Sequence, residues 1–389
     1  MVKNKEPIVL PSLIFSLYLI LFPIDSALGE LIGTISINNY IAIACLAVTL
    51  VFAIRRIIFK FDNFTIIYLV YVLYQVFSII KGGYFFTNRN IIFLFYNFMT
   101  IIFIHVQWTE REKNNFKNMI ILSMIVACYI IFTNINFNSS GRLYLSLGRN
   151  IDQNYLSANL IFGTAIITNS MIRAKKTRQR LIFAALLIWI LVCIFYLGSR
   201  GSLFGNLVVA GLTIWLNRKS FNVLTTLIVV FSILIAVGAA LIMLPDWIRE
   251  RFSFSYMISD GGSGRLTLWK DFLNYYSGES LGEIIFGNGR GFIYDAYMIT
   301  RNCTHNIFLK SLVEGGLIGF ILHIILFVEL FITVNKSKSK DMIAIIAGYI
   351  GCGMFLDLDD YRIFPLMIII IMMYKDEDYN FGYIRSKNK

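Results

Sequence analysis

The stretch RLIFAALLIWILVCIFYLGSRGSLFGNLVVAGLTIWLNRK (180–219) decides the fold. Between Arg180 and Arg200 lie 19 residues with almost no polar side chain. Wound as a helix at about 1.5 Å per residue they rise roughly 29 Å, the thickness of the hydrocarbon layer of a bilayer. Arg180 and Arg200 therefore mark two membrane faces. A second apolar run, 201–216, follows at once and returns the chain to Arg218 and Lys219. The pattern is a pair of membrane helices joined by almost no turn.

The pattern recurs outward in both directions. Apolar blocks predict twelve spans, at 7–25, 36–54, 62–80, 90–107, 115–134, 154–172, 181–199, 201–216, 222–244, 306–334, 342–356 and 363–375. The whole chain of 389 residues is 57% hydrophobic and 15% charged, with a mean hydropathy of +0.70. A soluble domain is close to half apolar and a quarter charged, so a packed core alone does not account for this excess. The expected fold is an all-α, polytopic integral membrane protein, a single domain over 1–389. Residues Met1 to Pro7 run straight into an apolar block without a small-residue cleavage site, which reads as an anchor rather than a removable signal peptide. The five cysteines offer neither a disulfide framework nor a CxxC metal pair.

A net charge of +12 raises the question of nucleic acid. The distribution of the charge answers it. Of the 35 basic residues, 22 lie in alternate connections and in the two termini, whereas six lie in the short connections on the other side. This asymmetry is the positive-inside signal, and it puts both termini in the cytoplasm. No nucleic-acid partner is expected.

One connection is long. Residues 245–305, between spans nine and ten, form an outward-facing loop with six basic and seven acidic side chains, the kind of segment that carries function. Within it, RLTLWKDFLNYY (265–276) sets Leu266, Trp269, Phe272, Leu273 and Tyr276 at helical spacing. An amphipathic helix lying on the outer leaflet is predicted, with Ser263 of the preceding GGSG as its N-cap. Arg265 then stands in the first turn, where backbone N–H groups favour an anion.

Ionisable residues at the outer helix ends are the candidates for chemistry, because placing them there is costly. Arg200 reads either as a snorkelling arginine or as a cation over a lipid phosphate. His305, at the mouth of span ten in THNIFLKSLVEGGLIG (304–319), has the side chain suited to proton transfer near neutrality. His105 and His323 read as structural, and Glu314 as a buried partner of Lys310 one turn before it. FGNGRGF (286–292), with Arg290, suits a turn or a close approach of backbone to ligand. GRNIDQNYLSANL (148–160), with Arg149 and Asn154, offers sugar-binding groups or helix caps. The D-x-D of LDLDDYR (356–362) is read either as a divalent-cation pair or as an ion-pair cluster around Arg362.

GSRG at the outer end of one span, GR followed by LTLW in a long outer loop, FGNGRG, and HN nine residues before GLIG together resemble the O-antigen polymerase and ligase superfamily (Wzy-type and WaaL-type). The resemblance runs over about 148–370. It implies a GT-C-type membrane glycosyltransferase that needs no metal or other cofactor. It also implies a bacterial inner (plasma) membrane and a periplasmic active site. Donor and acceptor would be undecaprenyl-pyrophosphate-linked oligosaccharides, with a chain-length regulator as a possible partner. The family's functional residues fall on Arg200, Arg265 and His305, with Arg149, Asn154, Arg290, Asn306 and Arg362 as candidate substrate-binding residues beside them. Guanidinium groups bind pyrophosphate oxygens through paired hydrogen bonds and stabilise the leaving group; an imidazole takes the proton of the attacking hydroxyl. The short stretch between Arg265 and His305 favours polymerase over ligase. A flippase would instead show charges midway along several spans.

Overall fold

In a computed structural model of the protein, the stretch that decides the fold is two consecutive helices, Thr177–Tyr196 and Arg200–Leu216. The structure describes residues 9–24, 37–84, 87–137, 143–145, 153–218, 246–253, 261–295, 303–337, 341–360 and 362–375, with isolated positions between 227 and 259 and at 339. Among the described residues the regular elements are helices, apart from an isolated bridge between Ile57 and Val106 and an antiparallel hairpin of Ile135–Phe137 (β1) and Leu143–Leu145 (β2), in which Ile135 pairs with Leu145.

In chain order the helices are α1 (Val9–Leu21), α2 (Ile37–Phe52), α3 (Asn63–Gly82), α4 (Asn88–Phe103), α5 (Glu110–Asn134), α6 (Gln153–Ala158), α7 (Ile161–Arg173), α8 (Thr177–Tyr196) and α9 (Arg200–Leu216). In the long loop come α10 (Asp246–Arg251), α11 (Arg265–Ser277), α12 (Leu281–Phe286) and α13 (Phe292–Asp295), followed by α14 (Ile307–Lys336), α15 (Met342–Gly353) and α16 (Ile363–Tyr374). Among the described residues, five helices are long and apolar enough to cross a membrane: α3, α5, the continuous α6–α7 pair, α8 and α14. Shorter apolar helices occupy Val9–Ile24, Ile37–Phe52, Arg200–Leu216, Met342–Gly353 and Ile363–Tyr374. The expected ninth span, 222–244, lies outside the described residues apart from scattered positions.

Apolar character all round a helix calls for burial on every side. All of α16 is buried. Helices α9 and α15 meet backbone to backbone. A Cβ at Gly205 would collide with Cys352 Sγ, and one at Gly348 with Val209 Cγ2. Small residues permit this approach, which is how helices gain van der Waals contact where lipid removes the hydrophobic drive between them.

Polar side chains run as a ladder between α6–α7 and α9, which lie parallel. Ser202 Oγ donates to Asn154 O (2.8 Å) at one end. Thr164 Oγ1 donates to Asn206 Oδ1 (2.6 Å) midway, and Arg173 Nη2 donates to Asn217 Oδ1 (2.6 Å) at the other end. Each such bond contributes on the order of 1 kcal/mol in a membrane. Their alignment fixes the register of Arg200 relative to Asn154.

Helix α14 is broken at Gly316, whose φ of 63° departs from the helical range. The break frees carbonyls that must be satisfied within the protein. The FGNGRG turn satisfies them: Asn288 N donates to Val313 O (3.1 Å) and Gly289 N to Glu314 O (2.9 Å). From α3, Tyr74 Oη donates to Gly315 O (2.6 Å) and Ser78 Oγ to Glu314 O (3.2 Å). A Cβ at Gly287 or Gly289 would strike the backbone of Glu314 or Gly82. The glycines of this turn thus serve close backbone packing. The turn reading holds, and its partner is the break in α14.

Candidate active site

The three residues expected to carry chemistry come from three segments far apart in sequence, and contacts draw them round the turn that follows α15. Gly198 takes a left-handed φ of 66° and ends α8 sharply, so that Arg200 opens α9 only four residues after Tyr196. The next residue, Gly201, is pressed against the Phe355 side chain: a Cβ there would lie 2.7 Å from Phe355 Cβ. Arg200 is partly buried, and its Nη2 donates to Ser263 Oγ (2.5 Å). Asn154 joins this corner, its Oδ1 accepting from Ser199 Oγ (2.8 Å).

Arg265 is the first residue of α11, and its guanidinium carbon lies 5.8 Å from the centre of the Phe355 ring. Two expectations for this helix need correction. The residue before it is the cap: Gly264, with φ 71°, occupies that position, and the Ser263 hydroxyl accepts from Arg200. The helix also does not simply lie on a lipid surface. Leu268 and Phe272 are buried with Leu309 and Val313 of α14 and with Ile293 of α13, while Leu266 and Leu273 stay exposed. Docking on α14 outweighs the flat orientation because it removes a large aromatic ring from solvent, roughly 2–3 kcal/mol of burial.

One turn further, Trp269 Nε1 donates to Thr304 O (3.0 Å), and its ring lies 6.4 Å from that of Phe355. This contact ties α11 to the THN turn. His305 takes a left-handed φ of 52°, uncommon for a residue with a side chain. Asp357, buried, holds that conformation: Oδ2 accepts from His305 N (3.1 Å), Oδ1 from Asn306 N (3.0 Å), and Thr304 Oγ1 also donates to it. Two successive N–H groups turned on one carboxylate form an anion-binding concavity filled from within. Asn306 caps α14, its Oδ1 accepting from Phe308 N and Leu309 N. His305 Nε2 lies 3.1 Å from Cys303 Sγ.

The D-x-D carboxylates serve separate partners. Asp357 organises the THN turn, and Asp359 accepts from Tyr349 Oη (2.8 Å) and lies 3.6 Å from Nδ1 of the fully buried His323. Arg362 turns to other groups, donating from Nε to Asn39 Oδ1 (3.1 Å) with its guanidinium 5.8 Å from the Tyr96 ring. Arg290 is 4% exposed. Its guanidinium sits 3.5 Å over the Phe93 ring and donates to Gln75 Oε1 (3.2 Å) and Asp359 O (3.4 Å). It therefore lies among helices, beside the Asp359 backbone. Glu314 pairs with Lys310 (3.9 Å) as the spacing predicts, and its Oε1 also accepts from Gly291 N (3.0 Å). His105 is structural, its ring nitrogens 2.7 Å from Ile101 O and 3.1 Å from Lys60 O. Arg149 lies outside the described residues.

The sequence reading missed Phe355, which lies against Arg265 and against Gly201, the residue after Arg200, and Asp357 as the organiser of the histidine turn. Neither carried a signal: Phe355 is one of 34 phenylalanines, and Asp357 was masked by the more familiar D-x-D pattern.

The corner combines two guanidinium groups, one held by a serine hydroxyl and one lying over an aromatic face, with an imidazole on a rigid turn. This set can bind an oxyanion and accept a proton beside it. Among known proteins, no curated protein matches the chain. A family model described as O-antigen ligase matches residues 184–324, somewhat more than a third of the chain. That stretch carries Arg200, Arg265, His305 and Asn306, and the match supports a likeness to the O-antigen polymerase and ligase superfamily.

Proposed function

We propose that the protein is an O-antigen polymerase, a GT-C-type enzyme of the bacterial inner membrane with twelve crossings, cytoplasmic termini and its site on the periplasmic face. The observation that supports this most is the gathering of Arg200, Arg265 and His305 round Phe355 and Asp357 from three separate segments.

The donor is a glycan on undecaprenyl pyrophosphate, and the acceptor is a hydroxyl of the next lipid-linked repeat unit. The hydroxyl oxygen attacks the anomeric carbon as the bond from that carbon to the pyrophosphate oxygen breaks. His305 takes the hydroxyl proton, and attack opposite the leaving group inverts the anomeric centre. Arg200 and Arg265 bind the pyrophosphate and stabilise the charge it gains, the largest class of catalytic contribution. These fixed cations stand in for a divalent metal, so transfer persists in EDTA. Asn154 and Asn306 position the corner from either side, whereas Arg290 and Arg362 support it through the helices they join. Arg149 binds substrate, and a chain-length regulator acts from outside this chain.

The short connection from Arg265 to His305 leaves little room to seat a lipid A-core acceptor, which favours polymerisation. The description of the matching family favours the second reading, ligation to lipid A-core. Surface polysaccharide from a deletion strain separates the two on a gel: a lost polymerase leaves one repeat unit on the core, and a lost ligase leaves the core bare. Arg200→Ala, Arg265→Ala and His305→Ala each abolish long chains at normal protein level; full ladders from all three overturn the site.

A further inference from the structure

Cys303, His305 and Asp357 each present a ligand atom, and the three atoms lie within 4.8 Å of one another. Cys303 Sγ and His305 Nε2 are 3.1 Å apart. The carboxylate retains capacity for a further bond. Oδ1 accepts from Thr304 Oγ1 and Asn306 N, whereas Oδ2 accepts from His305 N alone; a carboxylate oxygen has two lone pairs, so Oδ2 keeps one. Sulfur, imidazole nitrogen and carboxylate oxygen are the donors that bind zinc, and three protein ligands leave the fourth tetrahedral position open. The turn that presents them is already held by Asp357 and by Trp269, so little ordering is left for an ion to drive. The other four cysteines are buried.

We propose that Cys303, His305 and Asp357 form a binding site for a thiophilic divalent cation of the zinc type, and that the ion shuts off transfer by occupying the His305 imidazole. On coordination the Cys303 thiol gives up its proton to solvent. The binding site stands on geometry alone; the inhibition rests on the role proposed above for His305.

The test uses the purified full-length protein in detergent, stripped with EDTA and then titrated with Co2+ alone. The expected result is a near-ultraviolet thiolate-to-cobalt band saturating at one ion per chain and displaced by Zn2+. Cys303→Ser and His305→Ala abolish the band, and Asp357→Asn weakens binding about tenfold or more. Zn2+ alone then slows glycan transfer by the wild-type protein about tenfold or more, EDTA restores the rate, and Cys303→Ser holds its own metal-free rate in Zn2+. Absence of the band, or an equal band from Cys303→Ser, overturns the metal site whatever the activity. A normal band combined with full transfer by His305→Ala or in saturating Zn2+ overturns the inhibition and the role of His305, and leaves the site standing.

Discussion

Arg173 and Arg200 stand at opposite ends of two parallel helices, and their surroundings differ in kind. At the end of α7, Arg173 Nε donates to Asn169 Oδ1 (2.8 Å), and its Nη2 reaches Asn217 Oδ1 (2.6 Å) and Asp341 Oδ2 (3.4 Å). Asp341 in turn accepts from Asn169 Nδ2 (3.0 Å) and Asn217 Nδ2 (2.9 Å). This is a cation answered by a carboxylate and two amides, knitting α7, α9 and α15 together. At the start of α9, Arg200 is met by the hydroxyl of Ser263, and Arg265 beside it by the face of Phe355. A hydroxyl and a ring face hold a guanidinium without themselves cancelling its charge. The same residue type thus serves as a rivet at one end and, in the reaction proposed above, as a receptor for an anion at the other.

The sharpest way to break this contrast is to remove each arginine in turn. Arg200→Ala reduces chain elongation about 100-fold or more, the cost of losing one charge-stabilising donor, with folded protein at its normal level. Arg173→Ala does the reverse. It leaves the buried Asp341 without its cation, costs about 3–5 kcal/mol, and lowers the yield of folded protein, while molecules that fold retain their rate. Quantitative immunoblots beside polysaccharide gels read both outcomes; the opposite assignment of losses would refute the comparison.

Next in size is Gly205→Val. The added side chain meets Cys352 and the backbone of Gly348, so α9 and α15 must part, at a cost of about 3 kcal/mol. Because α9 carries Arg200 and the end of α15 carries Phe355, elongation and thermal stability in detergent fall together. A variant of normal stability and rate would show that this contact does not set the corner.

Asp357→Asn tests the receptor end more gently. An amide replaces one acceptor by a donor in front of the N–H groups of His305 and Asn306, and the THN turn loosens. Elongation drops about tenfold through turnover rather than through acceptor KM, with protein level unchanged. Loss of protein in proportion to activity would make Asp357 merely structural.

The smallest effect lies at the rivet. Burial raises the Asp341 carboxyl above its usual range, against the pull of Arg173 and of the Asn217 and Asn169 amides. A carboxyl raised on folding keeps its proton longer in the folded protein than in the unfolded chain. Its contribution is therefore full below the ordinary aspartate range and is lost as pH rises through the folded value. Asp341→Asn flattens this decline in a series of thermal unfolding midpoints against pH, by on the order of 1 kcal/mol.

Much of the helical framework was legible in residue order. A single stretch with arginines 20 positions apart announced α8 and α9, because the bilayer imposes a length on apolar runs that composition alone reveals. The amphipathic helix at Arg265 was equally legible in period, but not in destination. Leu268, absent from the expected apolar set, is buried, and Leu266, which belonged to it, is exposed. Period fixes which residues share a face, whereas the neighbour that covers a face is chosen by packing with α13 and α14. The broken helix at Gly316 could not be read, because EGGLIG is compatible with an unbroken span until the FGNGRG turn and α3 supply donors for its freed carbonyls.

By itself the sequence determined that this chain is helical and rich in membrane-length apolar runs, and that arginine and histidine stand at helix mouths. Those properties follow from local hydropathy and charge, which every residue carries along the chain. The tertiary structure alone decided that Arg173 meets Asp341 while Arg200 meets Ser263, and that Asp357 serves the histidine turn. Such roles depend on which groups meet across more than 50 residues of chain, as Thr304 and Asp357 do, and no local pattern encodes the partner.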